Sequence, residues 1–129
     1  MFKELYYWMY FYVSKVKTNK TPAFNAYVLI CFLNGVNIET FFIFINYNLK
    51  LGGEKFNAFY VGGGLAAVLY IINYFLLYKQ RKDIFDKYNK LQQRRRIKGQ
   101  IYFWMYVVLS FIIFYIAVEN LVTPTIIKQ

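Results

Sequence analysis

The sequence predicts an all-α integral membrane protein with three transmembrane helices, at about residues 24–47, 58–78 and 101–118, plus an N-terminal amphipathic interfacial helix. Three observations carry this reading. The apolar residues fall in three blocks nearly free of charge, each about long enough as a helix to cross a ~30 Å hydrocarbon core. The basic residues gather between those blocks, above all in residues 79–98. The composition is 59% hydrophobic and 23% aromatic, yet the formal net charge is +10. At 129 residues the default is one membrane domain, 1–129.

Residues 1–17, MFKELYYWMYFYVSKVK, are apolar but short, with about a dozen residues, roughly 18 Å of helix, before Lys15 and Lys17. Phe2, Leu5, Tyr6, Met9, Val13 and Val16 share one stripe, and Glu4, Phe11 and Lys15 lie opposite. This pattern predicts a helix lying in the interface, with Trp8 and the tyrosines at headgroup level, and a fourth span is the alternative. No small-x-small cleavage pattern follows it, which argues against a signal peptide. Residues 18–23, TNKTPA, make a break in which Pro22 suits the first turn of the next helix.

The first span, from Phe24 to Tyr47, reaches roughly 36 Å as a helix. Residues 48–57 read as a polar turn with Gly52-Gly53 as its hinge. The second span opens with small residues: Ala58, Gly62 and Ala66 share a face, with Gly63 and Ala67 beside them. Such a face lets another helix approach closely, either within the chain or in a homo-oligomer. The block 79–100 carries Lys79, Arg81, Lys82, Lys87, Lys90, Arg94, Arg95, Arg96 and Lys98 against Asp83 and Asp86. Ile84, Phe85, Tyr88 and Leu91 recur at helical spacing, so the second span is expected to continue past the membrane surface, with Gly99 ending the turn back. The third span, 101–118, exits at Glu119, Asn120 and Pro124.

The charge asymmetry sets an orientation. Residues 79–98 and the N-terminal Lys3, Lys15, Lys17 and Lys20 are basic, while the turn at 48–57 holds only Lys50 and Lys55. Positive-inside then expects the N-terminus and basic segment in the cytoplasm and the C-terminus outside. Lys79, Arg81, Lys82, Arg94, Arg95, Arg96 and Lys98 are the residues expected to meet anionic headgroups, each near-surface charge contributing about 1 kcal/mol. An arginine run among aromatics also occurs in nucleic-acid binders. Beside a span, the lipid surface is the simpler partner.

The first span is the unusual one, because Asn34, Asn37 and Glu39 interrupt it. An acid near a helix centre costs about 2.5–3.5 kcal/mol by analogy with Asp, and each Leu, Ile, Phe or Val returns about 0.3–0.6 kcal/mol. Insertion of this helix alone is therefore marginal, and it needs partners. Asn34 and Asn37 lie on the side of Phe41, whereas Glu39 falls with Gly35, Ile43 and Asn46. The structural expectation is that both faces bury their polar groups against Tyr hydroxyls, Asn73 or Ser110. The functional expectation is that Asn34, Asn37, Glu39 and Asn73 contact a partner or handle a cation.

With no histidine and only Cys31, the chain lacks the residues for the usual zinc sites, Ser/His or Cys/His nucleophile pairs, and histidine-ligated haem. No enzymatic activity, cofactor or metal is expected. The Lys, Asn, Ile, Phe and Tyr bias is what AT-rich codons encode.

Asn73-Tyr74-Phe75 at a span end, the helical basic block 79–98, Gly99, Trp104 early in an aromatic last span and Asn120 form one pattern. In it the C-terminal half resembles small polytopic inner-membrane proteins of AT-rich bacteria. The resemblance implies the fold and a bacterial inner membrane, and brings no activity with it. The expected function is non-enzymatic contact with a membrane-protein partner, as in an immunity or accessory protein. The alternative is an oligomeric pore-forming or membrane-disrupting effector.

Overall fold

The computed structural model describes residues 2–49 and 58–122, all of whose regular structure is helical. Helix α1 spans Phe2–Val13 and α2 spans Pro22–Leu49. Helix α3, Ala58–Asn73, runs on as a π-helical turn over Tyr74–Tyr78. Helix α4 is Arg81–Asn89, and α5 is Gln93–Ala117 with a further π turn at Val118–Val122. Three stretches are long and apolar enough to cross a membrane: Pro22–Ile45, Tyr60–Tyr78 and Gln93–Asn120. The fold is that of an all-α, multi-pass membrane protein. The expected hinge at Gly52-Gly53, with Lys50 and Lys55, and the expected exit at Pro124 lie outside the described residues.

The local chemistry explains the breaks. Asn19 ties α1 to α2: its amide nitrogen donates to the Val13 carbonyl, and its side-chain oxygen accepts from the Thr21 N–H and from the Asn25 amide. Pro22 then occupies the first turn of α2, where its missing N–H costs nothing. After Tyr78 the helix does not continue. Lys79 N–H closes a π-type bond to Tyr74, Arg81 donates to the Tyr78 carbonyl at 2.9 Å, and α4 starts afresh. The expectation that the second span continues as a helix past the membrane surface is thus corrected at residues 79–80, while Ile84, Phe85 and Tyr88 do lie on a helix, α4. The turn back is at residues 90–92, and Gly99 sits in the second turn of α5 rather than ending the turn.

The three spans bury little of themselves, with about one residue in five of each apolar window covered. Phe32, Phe41, Phe44, Ile71, Ile101, Ile112 and Ile116 are among the large side chains left exposed. In water that surface would drive aggregation, but in hydrocarbon it is the expected exterior. Helix α2 is the common neighbour, packing on α3 along one face and on α5 along another.

The densest core lies at the basic end, where α1 meets the start of α2, helix α4 and the start of α5. Leu5, Tyr6, Tyr7 and Trp8 are all buried, together with Ala26, Tyr27, Leu77, Ile84 and Phe103. Tyr10 stacks on Phe85 at 3.9 Å between ring centroids, Tyr7 stacks on Tyr88 and Tyr12 on Phe103. This corrects the expected environment of Trp8, Tyr6 and Tyr7. They do not face headgroups but fill the protein interior, while Phe2 and Val16 from the predicted apolar stripe are exposed. The reason is a second layer: α4 and the first turns of α5 fold over α1, so a helix that alone would float on the bilayer is clamped.

Gly99 makes that clamp possible. A Cβ there would lie 2.6 Å from both Trp8 Nε1 and Glu4 Oε1. Only a glycine lets α5 come this close to α1.

Candidate functional site

The polar residues of α2 divide between its two neighbours. Asn37 donates its amide to the Tyr106 hydroxyl of α5 at 2.6 Å, and that hydroxyl donates onward to Asn34 Oδ1 at 3.4 Å. One turn along α5, Ser110 is buried and bonds back to the Tyr106 carbonyl. A hydroxyl that accepts and donates in one place satisfies two amides, as a span without water requires. Asn34 and Asn37 are therefore structural links between α2 and α5.

Glu39 faces α3 instead. Any side chain at Gly62 would begin 2.7 Å from the carboxyl carbon and both carboxyl oxygens of Glu39, and one at Gly63 would lie 4.0 Å from Oε1. Further along the same face Gly35 meets Ala66, its Cβ position 3.7 Å from that of Ala66. The small-residue patch thus works as an internal contact through Gly62 and Ala66, while Gly63 and Ala67 remain exposed beside it. Ala58 opens α3, and its side chain lies outside the described residues. Glu39 Oε2 is buried and has no hydrogen-bond partner. Among the described residues the only other buried side-chain N or O atom in this condition is Trp8 Nε1.

Asn73 does not join the α2 polar groups. It is buried where α3 enters its π turn, and donates to the Cys31 sulfur at 3.8 Å. Close by, the Tyr27 hydroxyl donates to the Tyr70 carbonyl at 2.7 Å. Cys31 is a buried free thiol.

Two grooves flank α2. One, of about 670 Å³, lies between α2 and α5 and is lined by Asn37, Phe41, Phe44, Tyr106, Ser110 and Ile113 among others. The second, of about 640 Å³, runs along α2 and α3 past Phe32, Gly35, Glu39, Ala67 and Tyr70, with Phe114 at its edge. The second therefore carries a carboxyl in an otherwise apolar lining. Among the described residues no three His, Cys, Asp or Glu side chains come together to hold a metal.

The basic residues at the other site divide as well. Arg81 is held by the Tyr78 carbonyl and lies over the Tyr78 ring at 4.4 Å, and Arg96 lies 5.9 Å from the Phe11 ring. Lys79, Lys82, Arg94, Arg95 and Lys98 are exposed. Lys3 donates to Gln80, so the N-terminal helix and the basic segment occupy the same end of the bundle.

Tyr106 was not singled out from sequence, and Trp8 was singled out only for the headgroup region. Gly99, Phe103, Tyr106, Ser110 and Ala117 form one stripe of α5 in which polar and small side chains interrupt large apolar ones. That spacing is the signal for Tyr106. The Trp8 contact has no such signal, because it depends on the fold-back of α5.

These contacts define the class: a small multi-pass α-helical membrane protein whose middle helix carries one satisfied and one unsatisfied polar face. Compared with protein families, characterised proteins and solved structures, the chain matches none.

Two tests apply directly to this site. Tyr106→Phe strands both asparagines and should cost about 1–2 kcal/mol, the upper range for polar contacts between membrane helices. Adding Asn37→Leu should recover part of that loss, since an apolar pair leaves fewer unsatisfied groups. The thermal midpoint of Cys31 labelling by a fluorogenic maleimide reads both. The second test uses pH. Burial pushes the Tyr6 hydroxyl, which donates to the Ala23 carbonyl, well above the ordinary tyrosine range, partly offset by Arg81. A group raised on folding stabilises fully below its unfolded pKa, and that contribution fades as pH climbs toward the folded value. Stability should therefore fall above about pH 10, and Tyr6→Phe should flatten that fall.

Proposed function

We propose that this chain is a non-enzymatic bacterial inner-membrane protein that acts by holding a partner membrane protein through contacts inside the bilayer. Its most concrete form is an immunity or accessory protein for a toxin or membrane complex. The carrying observation is Glu39, whose Oε2 lacks a partner while Asn34, Asn37 and Asn73 are bonded within the chain. A carboxyl kept in a span at such cost is a functional candidate by default. The exposed apolar flanks of α3 and α5 give a partner room to pack.

In this reading the N-terminus and basic segment lie in the cytoplasm and the C-terminus outside. Lys79, Lys82, Arg94, Arg95 and Lys98 meet anionic headgroups, and nucleic acid is not a partner. Glu39 alone also favours the competing reading, an oligomeric pore-forming effector. The bonding of Asn34 and Asn37 to Tyr106 weakens it, because those amides are then not free to line an opening.

Two measurements on one strain decide between the readings. With a potential-sensitive dye, overexpression of the protein alone should leave the membrane potential intact. Purification from the source cells in mild detergent should yield one stoichiometric membrane-protein partner. Depolarisation would favour the pore, and the absence of any partner would overturn the proposal.

A further inference from the structure

Three features converge on the groove between α2 and α3. It is lined by Glu39, a carboxyl whose Oε2 is buried and has no hydrogen-bond partner. Its wall is apolar, with Val28, Phe32, Val36 and Tyr70. Its rim on α3 is small, at Ala66 and the exposed Ala67, with exposed Gly63 one turn before Ala67, so a helix backbone can come close beside the carboxyl. The chain's own spans offer this carboxyl no basic partner, because no lysine or arginine lies within Pro22–Ile45, Tyr60–Tyr78 or residues 99–120. A second copy of the chain would bring another acid to the site and no cation.

We infer that this groove seats a transmembrane helix of the partner, and that the helix carries a lysine or arginine opposite Glu39. The inference rests on the partner reading above and names the place and chemistry of that contact. Depth narrows it further. Glu39 lies seventeen residues past Pro22, roughly 26 Å along α2 from the end that meets the basic segment. The partner's cation therefore sits in the half of the bilayer away from the basic segment. A long lysine or arginine stem reaches that depth while its helix stays in hydrocarbon. An ion pair there removes the cost of leaving the carboxyl alone. Asn34 and Asn37 play no part in it, since α5 already occupies their face.

The test uses a defined probe. A synthetic leucine-alanine helix with an apolar run of about 20 residues is made in two forms, one with a single lysine six residues from one end and one with leucine there. Each carries a donor dye, and the full-length protein, reconstituted in neutral phosphatidylcholine vesicles, carries an acceptor at its N-terminus. Energy transfer should show the lysine peptide binding roughly tenfold more tightly than the leucine peptide, the ratio matching a polar contact between membrane helices. Glu39→Gln should abolish that preference, and Ala67→Phe, which fills the rim and leaves the carboxyl untouched, should weaken the binding of both peptides. Helical content by circular dichroism checks that each variant is folded. Equal binding of the two peptides to the wild type, or a preference that survives Glu39→Gln, overturns the inference. If the wild type co-purifies with its partner yet shows no lysine preference, this docking site is wrong and the partner reading stands. A lysine preference with no co-purifying partner does the reverse.

Discussion

Trp8→Ala is expected to lower stability by about 3–5 kcal/mol, the range for truncating a large buried aromatic. The indole is wholly buried, and packs against Tyr7 and Phe11 and beneath Gly99. Removing it empties the point where α1 and α5 cross and loosens what α1 holds together. The unpartnered indole nitrogen indicates that the bulk of the ring, and not its N–H, makes the contact. Trp8→Phe should therefore cost much less than Trp8→Ala. Cys31 supplies a native reporter, since it is the only cysteine and is buried in the same core cluster. Its labelling midpoint should fall by roughly 10–20 °C in Trp8→Ala, and a fall of less than about 2 °C would contradict this role.

Gly99→Val attacks the same crossing from the other side. The new Cβ would begin 2.6 Å from Trp8 Nε1. Glu4 can swing aside, being a flexible side chain, but the indole is locked among rings. Overpacking of this kind costs about 1–3 kcal/mol. Because both substitutions act on one contact, Gly99→Val should cost less in the Trp8→Ala background than alone, a non-additivity expected of touching residues. Strictly additive losses would mean that α1 and α5 do not meet where described.

The three spans were legible in the sequence because length and apolarity alone set them. The existence of a short N-terminal helix was equally plain, and so was the division of the polar residues in the first span between two faces. The structure gives that division its meaning: α2 is the middle helix, with α5 on the Asn34/Asn37 face and α3 on the Glu39 face. Which helix lay on which face could not be read, because helical periodicity places residues on one helix without naming the neighbour. The small-residue patch was visible as a patch, but its use against Glu39 and Gly35 was not. The interior role of Trp8 was misread because an aromatic-rich amphipathic segment looks the same whether lipid or protein covers it. Gly99 was misplaced for a related reason. A glycine after a basic run reads as a helix stop, and only the approach of α1 reveals it as a gap left for a neighbouring ring.

The fold calls for three crossings of a bilayer, with α1 and the basic segment together on one side. In a Cys31→Ser background, single cysteines replacing Ser14, Lys90 and Asn120 can be probed with a membrane-impermeant maleimide in right-side-out and inverted vesicles. Ser14→Cys and Lys90→Cys should label from the same side, and Asn120→Cys only from the opposite one. Labelling of all three from one side would contradict this arrangement.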